Sequence, residues 1–496
     1  MKVSGSVTFA TSDLDRTSAT DILFGNLSVG ANLVAVTQGN TTDGGVTQDA
    51  LISLNVTGTS TFTADIGIDQ VALLNASGND FVGAVNFNNV NSGNWLNITI
   101  VDATSLTLGN VLATGNLDAT AATDRTLAGN VSADTPDLTA TTCGINQTSG
   151  KLSVSTSPTQ LNAATNITLG SATNDFNGPV NAAGENIALT DGAAGMTLGN
   201  ITAGGTFGAT STGGAIAQAS GTTIAVTGET TLAASANGAA ADIKLDGTSN
   251  DFSTVNADGA GVTLVDANDL TLGTVAATGN LDATAGTSQN LAGVVSARSL
   301  VLNEGSAITQ SANGVLTVVN GPTNMQAGST ITLDKANDFK GTVNVLGGTD
   351  VALNDTDNLT LGNVTATGNL NAKAATDLTL TGDVSVNSLD LTATAGEIDQ
   401  SAGDLTVTTG STKLNAANDI TLDSPTNDFN GTVNADGAGV TLVDANDLTL
   451  GTVTATDDLN LTTTGDLVLG TVTVGGGVSA SSNGGTISKT GTMQVE

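Results

Sequence analysis

The chain has no histidine and no tyrosine, one tryptophan, one cysteine and five prolines in 496 residues. Each shortage excludes something. Without histidine, general acid–base chemistry falls to carboxylates, which would have to meet as a pair in a cleft. The acids here recur with a long repeat instead of gathering once, so no enzyme is expected. No Gly-X-X-X-X-Gly-Lys-Ser/Thr, no Cys-X-X-Cys and no zinc-type spacing occurs. Cys143 stands alone, so no internal disulfide forms. No apolar run approaches the roughly 18 residues of a membrane helix, and no membrane insertion is expected. Met1 to Gly5 leads into polar sequence without the apolar segment of a signal peptide. Basic residues number 11 against 46 acids, a net charge of −35. That balance argues against nucleic acid and anionic lipid as partners. It fits a solvated, self-repelling surface that keeps a strand-rich body in solution.

What is present is repetition. Thr254–Val275 and Thr432–Val453 are the same 22 residues, 178 apart, or two periods of 89. A diverged copy lies midway at Thr342–Val364. Five Asn-Asp-Phe triplets, ending at Phe81, Phe176, Phe252, Phe339 and Phe429, mark the array. A Leu-Thr-Leu-Gly follows each, with Met196 replacing the first Leu once. An Ile-X-Gln precedes the next unit, as in Ile145-Asn146-Gln147 and Ile398-Asp399-Gln400; Val46-Thr47-Gln48 extends it towards the start. Residues 1–48 read as N-terminal coils, and 49–496 as about five units of roughly 90 residues.

Within a unit the short pattern has period two. Leu448-Thr449-Leu450 and Leu405-Thr406-Val407 place Leu or Val inward and Thr outward, and Gly, Asn and Asp follow where the chain turns. No helical spacing of apolar residues is found. The expected fold is all-β: a parallel β-helix or β-solenoid of about 25 coils, each of roughly 18–22 residues. Coils stacked at about 4.8 Å would make a rod on the order of 120 Å long. Each coil buries its Leu, Val and Ile only against the next, and Asn side chains at the turns are expected to stack in ladders. The five triplet phenylalanines are expected as core fillers at a corner.

Two places invite a functional reading. Between Phe81 and Leu108 the unit is longer than elsewhere, so Phe87–Trp95 is expected to be an inserted, protruding loop. Trp95, Asn94 and Asn91 are then candidate binding residues; the competing reading has Trp95 covering a gap in the core. No cofactor is expected, although three turn groups carry the oxygens that calcium would need: Asp266, Asn268, Asp269; Asp355, Asp357, Asn358; and Asp444, Asn446, Asp447. The competing reading is Asx residues that form turns.

The run from Asn446 to Thr456, Asn-Asp-Leu-Thr-Leu-Gly-Thr-Val-Thr-Ala-Thr, alternates with Asn427 to Asn434, Asn-Asp-Phe-Asn-Gly-Thr-Val-Asn. Repeats of this kind resemble the β-strand repeats of very large bacterial surface exoproteins, the filamentous-haemagglutinin-like adhesins and related extracellular matrix proteins. The resemblance covers Asp49 to Met493 and rests on repeat style. It implies a right-handed parallel β-helix at the cell surface, acting in adhesion or as biofilm matrix. Members of that group carry Asn-Pro motifs in a secretion domain; no Asn-Pro occurs here, so the secretion route does not carry over.

The expected role is that of a non-enzymatic, extracellular structural protein: a stalk, adhesin shaft or matrix filament. No end cap is recognisable in the sequence. The expected partners are therefore a continuation of the chain or further copies joined end to end. The alternative is an adhesin module that contacts a glycan or cell surface through the loop near Trp95.

Overall fold

The computed structural model describes residues 1–10, 21–38, 45–49, 51–66 and 69–496. Parts of the expected N-terminal coils, residues 11–20 and 39–44, lie outside them. Among the described residues all regular structure is β-strand, and no helix is long and apolar enough to cross a membrane. The fold is a parallel β-solenoid of about 23 turns, close to the 25 expected. The chain divides into two compact units, Met1–Ser253 with Asp258–Ala260, and Thr254–Ala257 with Gly261–Glu496.

The coil follows from the period-two pattern. In the first unit Asn116–Ala121, Arg125–Leu127 and Val131–Ala133 form successive sides of one turn of chain. Each then pairs in parallel with the next turn: Ala119 lies opposite Leu138, Arg125 opposite Ile145 and Val131 opposite Leu152. The second unit repeats this, with Val440 opposite Leu459 and Leu459 opposite Val478. Inward positions such as Leu448, Leu459 and Leu461 are buried, and the threonines between them line the outer face. Burial of one inward side chain is worth about 1.5–3 kcal/mol, and none is realised until a second coil covers the first.

Among the described residues, one hairpin departs from the parallel rule. In the first unit Gly213–Gly214 and Ala239–Ala240 pair antiparallel with the long strand Ile224–Ala236. The hairpin turns at Asn237 and Gly238, with φ of 52° and 80°. Left-handed φ at both positions is what a tight Asn-Gly hairpin turn requires.

Coil length is not uniform, and this corrects the expected 18–22 residues. Among the described residues, paired positions of successive coils lie 25 to 27 residues apart at Val7 and Leu33, Leu33 and Ser60, and Ser60 and Val85. From Ile98 onward they lie 17 to 23 apart, as for Ile98 and Leu117 or Thr432 and Thr449, except beside the hairpin, where Ile216 and Ile243 are 27 apart. The wide coils hold a run of aromatics in mutual contact. Phe9, Phe24, Phe62, Phe87 and Trp95 form a continuous stack with ring centroids 5.0–6.3 Å apart. Trp95 ends the stack edge-on against Phe87, where the narrower coils begin.

Candidate functional site

Two landmarks of the repeat, the Gln of Ile-X-Gln and the first Asn of Asn-Asp-Phe, meet inside the coil. In the last copy Gln400 Nε2 donates to Asn427 Oδ1 at 2.9 Å, and Asn427 Nδ2 donates back to Gln400 Oε1 at 2.7 Å. Asn427 Oδ1 also accepts the Leu405 amide at 2.9 Å. The same reciprocal pair forms between Gln48 and Asn79, Gln147 and Asn174, Gln218 and Asn250, and Gln310 and Asn337. All five asparagines are fully buried. The phenylalanine two residues after each, at 81, 176, 252, 339 and 429, is buried as well. A polar group in such an interior is tolerated because each donor and acceptor has a partner.

A buried aspartate completes most copies. Asp444 Oδ2 accepts the Phe429 amide at 3.1 Å, and its Oδ1 accepts the Asn446 amide at 2.7 Å. Asp102, Asp191 and Asp355 hold Phe81, Phe176 and Phe339 in the same way. Burial pushes these carboxyls above their usual range, to about 6 for Asp355. The backbone N–H donors work against that shift without cancelling it.

The groups considered for calcium are built from these bonds. Asp355 holds two amides, Asp357 Oδ2 accepts Lys340 Nζ at 2.7 Å, and Asn358 Oδ1 accepts the Asp377 amide at 3.2 Å. Asp447 Oδ1 accepts the Asp466 amide at 2.7 Å, and Asp269 Oδ1 the Ser288 amide at 3.0 Å. These oxygens form turns and clamp neighbouring coils, and among the described residues no three His, Cys, Asp or Glu gather. The same clamp recurs along both units, as from Asn181 to the Asn200 amide and from Asn434 to the Thr452 amide. It explains the abundance of Asn and Asp at turns: the side-chain oxygen caps a backbone donor one coil away.

Trp95, Asn94 and Asn91 are not brought together as a protruding site. Phe87 lies in the strand Val85–Asn89 and Trp95 opens the strand Trp95–Asp102, which leaves only a short turn between them. The indole is fully buried, and its Nε1 donates to the Asn88 carbonyl at 3.1 Å. Asn94 accepts the Asp69 amide at 2.8 Å and donates to Thr114 Oγ1 at 3.1 Å. Asn91, with φ of 51°, donates to Asp65 Oδ1. The extra residues of this segment widen the coil around the aromatic stack.

Sequence reasoning misses three buried polar side chains. Arg125 is fully buried; Nη2 donates to the Thr139 carbonyl at 3.0 Å, while Nε and Nη1 have no protein partner. Its site lowers the guanidinium to about 9, with burial as the main cause. Gln289 and Glu304 are buried as well, and the side-chain polar atoms of Gln289 have no protein hydrogen-bond partner. Burial pushes the Glu304 carboxyl up to about 9. Other copies carry Leu378 and Leu467 where Arg125 and Gln289 stand, and Ala140 and Ala393 where Glu304 stands. That break in the repeat is the signal that could have found them.

Surface hollows are shallow. One of about 440 Å³ is lined by Gln218, Thr222, Lys244 and Asp246, with Lys244 and Asp246 paired at 3.0 Å. Another of about 460 Å³ runs across the coils at Asn88, Asn110, Asn130 and Lys151.

A family model described as repeats of unknown function (DUF5649) matches residues 3–88, 120–183, 184–258, 285–346, 348–393, 375–436 and 437–468. The stretches 89–119 and 259–284 fall between matched segments. Neither a curated protein nor a solved structure matches the chain.

Proposed function

The chain belongs to that repeat family, and from this premise we propose that it is a structural β-solenoid without catalytic activity, working as an extracellular stalk, adhesin shaft or matrix filament. One observation carries the reading. The polar groups that would otherwise be free for chemistry, the repeated Gln, Asn and Asp, are bonded to neighbouring coils in copy after copy. Such a body resists extension because each coil is joined to the next by backbone pairing, apolar burial and side-chain clamps at once. The cell-surface setting is supported by the style of the repeats and by a composition rich in Thr, Asn and Gly with a single cysteine.

The partner in this reading is more solenoid. Each coil buries its inward side chains only against a neighbouring coil, and that neighbour can come from the same chain or from a second copy. Electron microscopy of the purified chain over a range of concentrations, with and without a chelator, tests the proposal. Rods of one length support a stalk segment, and filaments that lengthen with concentration support end-to-end assembly. Irregular globules would sink the structural role.

A further inference from the structure

Three amides form a ladder on the outside of the first unit. Asn86 Oδ1 accepts the Asn110 amide at 2.9 Å, Asn110 Oδ1 that of Asn130 at 3.1 Å, and Asn130 Oδ1 that of Lys151 at 3.2 Å. Each bond fixes one side of an amide plane and turns its NH₂ away from the backbone. Asn110, Asn130 and Lys151 are exposed and line the hollow of about 460 Å³ together with Asn88, Leu112 and Ser132. Leu112 offers an apolar surface, 44% exposed. No carboxylate lines the hollow, and Lys151 has no ion pair among the described residues, on a chain of net charge −35. The result is a local, acid-free strip of donors.

We propose that this strip binds an acidic polysaccharide, a linear chain of uronate sugars laid along the stack of coils. The spacing favours a sugar chain over a peptide. The donors recur at the coil spacing of about 4.8 Å, whereas same-side positions of an extended peptide recur at about 6.6 Å. A pyranose linked through opposite ring carbons advances by close to one coil per sugar. Its hydroxyl and ring oxygens accept from the NH₂ groups, its C–H face rests on Leu112, and its carboxylate meets Lys151. The inference goes beyond the structural role and does not depend on end-to-end assembly.

A later copy supplies the control. Asp383 and Asp404 occupy the positions of Asn130 and Lys151, with Val364, Val384 and Leu405 in the register of Val111, Val131 and Leu152. There Asp383 Oδ1 accepts the Asp404 amide at 3.0 Å, so the clamp survives the change. The double variant Asn130→Asp, Lys151→Asp therefore keeps the fold, as circular dichroism checks, while it replaces two donors by carboxylates. The experiment is calorimetric titration of the full chain with a 1,4-linked galacturonate tetramer, the single sugar, a neutral tetramer and polyglutamate. Trp95 fluorescence gives a second readout through its bond to Asn88. The expected result is tetramer binding that weakens with salt, exceeds that of the single sugar and the neutral tetramer, and falls at least tenfold in the variant. Absence of tetramer binding, equal binding by the folded variant, equal binding of the neutral tetramer, or equal binding of polyglutamate would each overturn the proposal.

Discussion

Gln400 and Asn427, 27 residues apart in sequence, close a two-bond ring inside the second unit. The ring shuts each amide onto the other, and the spare lone pair of Asn427 takes the Leu405 N–H. Replacing Asn427 by alanine strands that N–H in an apolar interior and takes one partner from each end of the Gln400 amide, which keeps the Gly403 carbonyl and the Ser424 amide. Each buried group left without a partner costs about 1–3 kcal/mol. A lower melting temperature is expected. The local mark is faster hydrogen exchange at Leu405 with little change two coils away, since a solenoid transmits damage mainly to its neighbours. Uniformly unchanged exchange would show that the ring contributes nothing.

Arg125 sits where Leu378 and Leu467 stand in other copies, and its strand neighbours Leu106 and Ile145 are apolar. Two of its guanidinium nitrogens have no protein partner. Arg125→Leu should therefore stabilise the chain. Exchange of a buried charged group for a well-packed apolar one is commonly neutral or favourable by about 1–4 kcal/mol. Of the three aspartates whose charge favours the guanidinium, Asp118 and Asp137 reach solvent, and Asp102 is left as Asp355 already is beside Leu378, with its two amide donors. Thermal melting followed by circular dichroism reads the change, and a fall in melting temperature would mean that the guanidinium holds a partner of real value.

Much of this architecture is legible in the sequence, and the residues show where legibility stops. The alternation at Leu448-Thr449-Leu450 reports a strand with one buried face, because side-chain direction has period two. The triplets ending at Phe81 and Phe429 stand out because a repeated corner needs the same filler each time. That Gln400 and Asn427 are partners is hidden, since a separation of 27 residues becomes a contact only when the coil path is known. Trp95 misleads for a related reason: extra residues in a repeat can bulge outward as a loop or enlarge the coil. The aromatic stack from Phe9 to Trp95 requires the second. The amide groove at Asn110 and Asn130 is invisible for want of the register that aligns the two residues.

Trp95 itself is open to a direct test. It is fully buried, caps the aromatic stack and faces the narrower coils. Trp95→Ala removes the largest buried side chain of the unit, and such truncations cost about 3–5 kcal/mol. Trp95→Phe keeps the edge contact with Phe87 and should recover most of the loss. Melting temperatures in the order wild type, Trp95→Phe, Trp95→Ala are expected. Equal values for all three would place the indole outside the core.

The response to pH has a definite sign. Asp355 is raised to about 6 and Glu304 to about 9, in both cases chiefly by burial, and Asp102, Asp191 and Asp444 are raised as well. A carboxyl whose folded pKa exceeds its unfolded value near 4 binds its proton more tightly in the native state. Its stabilising contribution is complete in acid. It is lost as pH rises, between about 4 and 6 for Asp355 and between about 4.5 and 9 for Glu304. The melting temperature should therefore climb as pH falls from 9 to 5, opposite to ordinary acid denaturation. Relief of self-repulsion on a chain of charge −35 acts in the same direction, so the trend alone does not identify the groups. Glu304→Ala separates the two causes. Ala140 and Ala393 occupy its position in other copies, so the fold accommodates the change. The variant should melt higher than the wild type at pH 9, match it more closely at pH 5, and show a flatter slope above pH 6. Parallel curves for the two proteins would assign the effect to surface charge alone.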